Sequence, residues 1–173
     1  APTRDQARRA VERVQVKMSS LPAHADFASD APVMADIAFA SESQLCEAAL
    51  KNAVTVHATL RNSRVVAMSL EPRAAVAQWH EDTSSITLWL PTQTPSRAQT
   101  DVAACLGLAS ERVQVISPDV GGAFGAKASL YPEDFALALA AWTCGKPLKW
   151  VASRSEEFLS ANHGRGSTFK GTL

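Results

Sequence analysis

The residues with most chemistry to offer in this sequence are glycines. Gly121-Gly122-Ala123-Phe124-Gly125-Ala126-Lys127 follows the apolar run Val113 to Ile116 and precedes a long apolar segment opening at Pro132. Glycines in such a loop permit positive φ and close approach to the backbone. Successive N–H groups can then form an anion nest, suited to a phosphate or a metal-oxo oxygen, and a helix N-terminus just beyond adds favourable field. The pattern is neither GxxxxGK[ST] nor GxGxxG, so a P-loop and a Rossmann turn are excluded. On spacing alone the loop also reads as a packing turn plugged by Phe124. Gln93, in Leu90-Pro91-Thr92-Gln93-Thr94-Pro95, carries an amide donor that suits an oxo or hydroxo ligand. Taken alone, it reads first as a turn residue capping a helix that starts at Pro95.

Other polar residues call for less. Glu71 and Arg73 precede a predicted strand and read as a local ion pair. His57 falls on the polar face of a strand, and His163 in Asn162-His163-Gly164-Arg165 has no assigned role. Trp79, Trp89, Trp142 and Trp150 read as core residues. Cys46, Cys105 and Cys144 form no CxxC pair and no even framework, so all three read as buried thiols in a reducing compartment. Cys105 in particular falls on the apolar face of a predicted helix.

The elements that must position these residues follow from periodicity. Ala7, Ala10, Val11 and Val14 mark a helical face, and Val14, Val16 and Met18 alternate as a short strand. Residues 22–52 read as a linker, with a helical turn near Ser43 to Leu50. Val54 to Leu60 alternates, and Val65 to Leu70 follows a polar stretch as a second strand. Val76 to His80 and Ile86 to Leu90 flank a five-residue hairpin loop. Pro95 opens a helix with Thr94 as N-cap, inner face Ala98, Val102, Cys105 and Leu106, and a left-handed stop at Gly107. Pro132 opens another that ends at Gly145. This helix is apolar all round from Phe135 to Trp142 and should be buried on most sides. Leu148 to Val151 is a strand, and Ser155 to Leu159 a short helix. The class is α+β, a mixed β-sheet with packed helices.

Composition narrows the function. Seventeen basic and seventeen acidic residues give zero formal charge, which offers no argument for nucleic acid or an anionic membrane. No run reaches the length of a membrane span. The start, Ala1-Pro2-Thr3-Arg4, has neither initiator Met nor apolar signal core. It reads as a chain excised from something longer, or else as a domain beginning after processing.

Four segments in order resemble one family. Val120 to Lys127 resembles the GGGFGxK loop of the molybdenum hydroxylases, the xanthine oxidase, aldehyde oxidase and carbon monoxide dehydrogenase superfamily. Leu70-Glu71-Pro72-Arg73 resembles its M-E-P-R segment, Thr92-Gln93-Thr94-Pro95 its S-T-Q-x-P turn, and Lys149-Trp150 with Arg154-Ser155-Glu156 its K-W-x-x-D-R-x-E segment. The resemblance covers residues 53–173, the first part of the molybdopterin-binding domain. More loosely, residues 1–21 resemble the tail of the family's preceding hammerhead-like domain. It implies a fragment of the large subunit with cofactor contacts at Gln93, Gly121, Gly122, Phe124 and Gly125. No catalytic residue and no direct metal ligand is implied within the chain, so the isolated fragment is expected to be inactive.

The family chemistry is oxidative hydroxylation of an aldehyde, N-heterocycle or related small substrate. The implied cofactor is molybdenum with molybdopterin cytosine dinucleotide. Iron–sulfur and FAD subunits complete a cytoplasmic heterotrimer with the remainder of the large subunit. Purine-oxidising members carry Glu after the loop lysine. Ala128 stands there instead, which points toward the carbon monoxide and aldehyde dehydrogenase branch. A non-catalytic interaction or scaffold domain with a structural Gly turn is the alternative.

Overall fold

A computed structural model describes residues 1–22, 33, 35–37, 43–51 and 53–172. The chain divides into two units, Ala1–Ala53 and Val54–Leu173. The first holds α1 (Arg4–Val11) and α2 (Ser43–Leu50). Thr3 caps α1 by accepting the Gln6 N–H at 3.3 Å, with Asp5 in the first turn and Arg8 and Arg9 in the last, the signs the helix dipole favours. The alternation at Val14–Met18 forms no strand. Those residues are exposed, and without a partner to take its hydrogen bonds the pattern has nothing to join. The rest of the expected linker, residues 23–42, lies mostly outside the described residues.

The second unit builds two sheets. β2 (Ala74–His80), β3 (Ser85–Trp89), β4 (Val113–Ile116) and β5 (Leu148–Val151) form one, ordered β4-β3-β2-β5. β2 pairs antiparallel with both β3 and β5, while β3 and β4 run parallel. The sheet is therefore mixed. The parallel pair needs a crossover, which α3 (Pro95–Leu106) supplies. α3 packs on β4 and α4 (Pro132–Cys144) on β2. Ala75, Ala77, Ile86 and Leu88 from the strands meet Val102, Ala103, Ala138 and Ala141 from the helices in one core. Both helices start at Pro and stop at a left-handed glycine, Gly107 (φ 67°) and Gly145 (φ 59°). α5 (Arg154–Ser160) begins in a capping box between Ser153 and Glu156.

The second sheet is a long ribbon of β1 (His57–Val66) and β6 (His163–Thr172), antiparallel. Here the sequence pattern misleads. Strands separated by polar Arg61–Arg64 are in fact one, because pairing with β6 carries the ladder straight through. β6 itself, with its glycines and polar residues, gives no strand signal of its own.

Two burial expectations also fail. Cys105 and Cys144 are exposed, and the side chain of Cys46 lies outside the described residues. The buried stripe of α3 is Ala98, Val102 and Ala103, which leaves Cys105 on its flank. α4 buries only Asp134, Ala138 and Ala141, and Leu139 is 53% exposed, because α4 turns one face to the sheet. The four tryptophans are half-buried, with Trp79 stacked on Trp142 at 5.0 Å.

Candidate cofactor site

The glycine loop leaves β4 and runs to the start of α4. Its backbone is bent hard: Gly122 has φ 97°, Phe124 50° and Gly125 89°. Two of these are glycines that tolerate such angles. Phe124 is not, and it is also 77% exposed. Ala123, where the family pattern has glycine, does not have positive φ. The loop's internal bonds are Ala126 N–H to Ala123 O (2.9 Å) and Ala128 N–H to Gly125 O (3.3 Å). Among the described residues, the N–H groups of Gly122, Ala123, Phe124 and Gly125 have no protein acceptor.

External contacts hold the two ends of the loop. At one end, Gly121 donates its N–H to Glu71 Oε2 at 2.8 Å, and its carbonyl accepts the Glu71 N–H at 3.3 Å. At the other end, buried Lys127 sends Nζ to the same Oε2 at 2.7 Å and to the Glu71 carbonyl at 3.1 Å. The Lys127 carbonyl accepts the Gln93 N–H at 3.0 Å and the Thr92 hydroxyl at 3.1 Å. Thr94 donates its hydroxyl to Ala128 O at 2.8 Å, so it does not cap α3 with its side chain. Gln93 is thus tied through its backbone to the end of the loop that holds Phe124, and it is exposed. Lys127 joins the two segments.

Behind the loop lies a set of charges. Glu71 and Arg73 do not pair with each other, contrary to the reading from sequence. The two stand on either side of Pro72, and each finds a partner from a later element. Arg73, buried, pairs with Glu133 at 3.3 Å, donates to Ser160 Oγ at 2.6 Å and lies 3.9 Å over the Tyr131 ring. The Arg73 N–H is accepted by Glu157 at 2.8 Å, and Glu157 pairs with Arg154 at 2.5 Å. Arg154 donates to the carbonyls of Ser69 (2.7 Å) and Leu70 (2.9 Å). Burial works to raise the Glu71 pKa. The Lys127 hydrogen bond, the Gly121 N–H and the Lys127 charge outweigh it and hold the carboxyl below its ordinary value. Burial does raise Asp134, against the Tyr131 N–H that it accepts.

A cavity of about 360 Å³ opens beside the loop, lined by Phe124, Gly125 and Ala126 on one side and Val66, His163 and Arg165 on another. Sequence reasoning gave no role to Lys127, Arg154, Glu157 or Tyr131, whose hydroxyl donates to Ala126 O at 2.7 Å. The lone lysine closing a glycine loop was the available signal. Among the described residues, no three His, Cys, Asp or Glu side chains group to hold a metal. The site offers neutral donors instead: a side-chain amide and free backbone N–H groups.

The family model of the molybdopterin cofactor-binding domain matches residues 32–173. The chain belongs to this family. Those neutral donors suit the acceptor oxygens of such a cofactor. Among relatives of this molybdopterin-binding domain, the nicotine 6-hydroxylase large subunit of Paenarthrobacter nicotinovorans is 38% identical over 110 residues, 62% of this chain and 13% of the relative. The carbon monoxide dehydrogenase large chain of Hydrogenophaga pseudoflava is 30% identical over 135 residues, 78% of this chain and 17% of that one. The solved Cu,Mo-containing carbon monoxide dehydrogenase, in its carbon monoxide reduced state, superposes with a TM-score of 0.80 at 26% identity, over 94% of this chain and 24% of that one. The chain therefore spans under a fifth of the length of these two curated relatives.

Proposed function

We propose that this chain is part of the molybdopterin-binding large subunit of a molybdenum hydroxylase. The subunit would oxidatively hydroxylate an aldehyde, an N-heterocycle or a related small substrate with water. Electrons would pass to iron–sulfur and FAD subunits in a cytoplasmic heterotrimer. The cofactor is assigned as the cytosine dinucleotide form of molybdenum molybdopterin. The names of the relatives, a nicotine hydroxylase and a carbon monoxide dehydrogenase, support this range. Ala128 in place of a glutamate argues against purines.

One observation carries the reading for this chain's own residues. Lys127 binds Gln93 and the glycine loop into one unit, so the two segments that carry the expected cofactor contacts are joined rather than scattered. When bound, the cofactor supplies the redox centre and the activation of water. The chain supplies orientation. Gln93 offers an amide donor to an oxygen of the group, and Gly122 to Gly125 offer backbone N–H donors. Gly121 brings the loop against Glu71, and Phe124 lines the cavity beside it.

Analysis of the full-length large subunit, purified with its partners, tests this. It should contain molybdenum and a pterin that releases CMP on hydrolysis. Gln93→Ala should lower kcat by about 10-fold or more while leaving the fold intact. A subunit without molybdenum, or Gln93→Ala with unchanged kcat, would defeat the proposal.

A further inference from the structure

We propose that Glu71 is a positioning residue for the cofactor: its carboxylate clamps both ends of the 121–127 loop and so keeps the N–H groups of Gly122 to Gly125 free to bind. The inference rests on the functional reading above.

A loop with three positive φ values in four residues is not a conformation that the chain holds unaided. At Phe124 the left-handed angle crowds Cβ against the backbone, a strain that glycine would not feel. The two hydrogen bonds inside the loop, at 2.9 and 3.3 Å, close only its second half. One oxygen, Glu71 Oε2, accepts from Gly121 N–H at 2.8 Å and from Lys127 Nζ at 2.7 Å. The first and last residues of the bend are therefore fixed to a single atom. Ionised carboxylate acceptors make the stronger class of hydrogen bond. Lys127 is 3% exposed along its side chain, so its ammonium depends on this partner.

Glu71 is itself held from behind. Ser69 Oγ donates to the Glu71 carbonyl at 2.8 Å, and Arg154 holds the Ser69 and Leu70 carbonyls. Arg154 is in turn oriented by Glu157, which also accepts the Arg73 N–H. Glu71 thus sits on a braced segment and transmits that bracing to the loop. The close approach of Gly121 leaves no slack between them.

The test uses the full-length subunit in its assembled complex, with Glu71→Gln, Glu71→Ala and the comparator Glu133→Gln. Glu133→Gln weakens the half-buried pair with Arg73 but touches no loop residue. Molybdenum and pterin per subunit after gel filtration, the line shape of the Mo(V) electron paramagnetic resonance signal after reduction, and Tm are read on each. Glu71→Ala should retain about 10-fold less molybdenum than wild type, with Glu71→Gln between them and a Mo(V) signal shifted or heterogeneous in both. Glu133→Gln should lower Tm yet keep its molybdenum and its line shape. Wild-type molybdenum and line shape in both Glu71 variants would overturn the clamp, as would equal molybdenum loss in Glu133→Gln. Should Glu71→Ala not fold, Glu71→Gln, which keeps shape and hydrogen-bonding capacity, decides. Absence of molybdenum from the wild-type subunit would instead overturn the functional reading, and this inference with it.

Discussion

Gly121 packs so closely on Glu71 that a methyl group added to it would lie 2.6 Å from Glu71 Cβ. The φ of Gly121 is not positive, so the conflict is one of space rather than of backbone angle. Both residues are bonded through their backbones, which leaves little room to retreat. Gly121→Ala should therefore cost about 1–3 kcal/mol in denaturant unfolding, the range of overpacked sites. It should also loosen the grip on Gly121 N–H. Unchanged stability would mean that the 69–71 segment yields, and that the loop is less tightly braced than its contacts indicate.

Acid should act on the same contact. The folded pKa of Glu71 lies below its ordinary value of 4.5. A carboxyl lowered in this way contributes stability that is fully present above 4.5 and fades as pH falls through the folded value. Molybdenum retained by the wild-type enzyme should thus fall as pH is lowered below 4.5, and Glu71→Gln should show a flatter dependence there. Asp134 has the opposite sign. Its pKa is raised above 3.8, so its contribution is present below 3.8 and is lost as pH rises through the raised value. The stability of Asp134→Asn relative to wild type should improve with rising pH, measured by urea unfolding at a series of pH values. A flat difference would show that Asp134 is ionised without cost.

What the sequence revealed of this arrangement is local. The β2–β3 hairpin, the proline starts and the left-handed stops at Gly107 and Gly145 are written in short-range chemistry, and they stand where the residues predict. The glycine loop was legible for the same reason: residue type there reports a backbone conformation. The β1–β6 ribbon was not, since its strands pair residues about a hundred positions apart and β6 owes its extended form to its partner. Lys127 was visible as a residue but not as a hub, because its partner Glu71 is 56 positions away. Glu71 and Arg73 misled for a related reason. Adjacency in sequence suggested a pair, while burial gave each a better partner from a later element.

Arg73 is a buried charge whose side-chain hydrogen-bond partners all come from one side, at Nη2. It is buried, pairs with Glu133, lies against Tyr131, and leaves its Nε and Nη1 with no partner among the described residues. Arg73→Met keeps the length and the apolar stem but removes the charge-assisted bonds to Glu133 and Ser160. A loss of about 1–3 kcal/mol is expected, since Glu133 keeps some contact with water when its partner is removed. The double variant Arg73→Met, Glu133→Gln should recover part of that loss, because no charge is then stranded. Additive losses in this double-mutant cycle would show that the pair contributes nothing of its own.

Phe124 is the residue that the fold explains least. It takes a left-handed φ of 50° and leaves 77% of its surface exposed, two costs with no stabilising return among the described residues. Its ring instead lies back over Gly122, where an added methyl would meet Phe124 Cε2 at 3.2 Å. Replacing Phe124 by Gly relieves the backbone angle, at about 1–2 kcal/mol, and offsets that with the greater chain entropy of glycine, about 0.5–1 kcal/mol. Phe124→Gly should then unfold at the same denaturant midpoint as wild type or slightly above it. If the ring walls the cofactor cavity, the same variant should lose activity and bind the cofactor less tightly in the full-length enzyme. Strain at a site with no structural use is reason to look for a functional one. A variant that is destabilised by more than about 1 kcal/mol would assign Phe124 to packing and remove that reason.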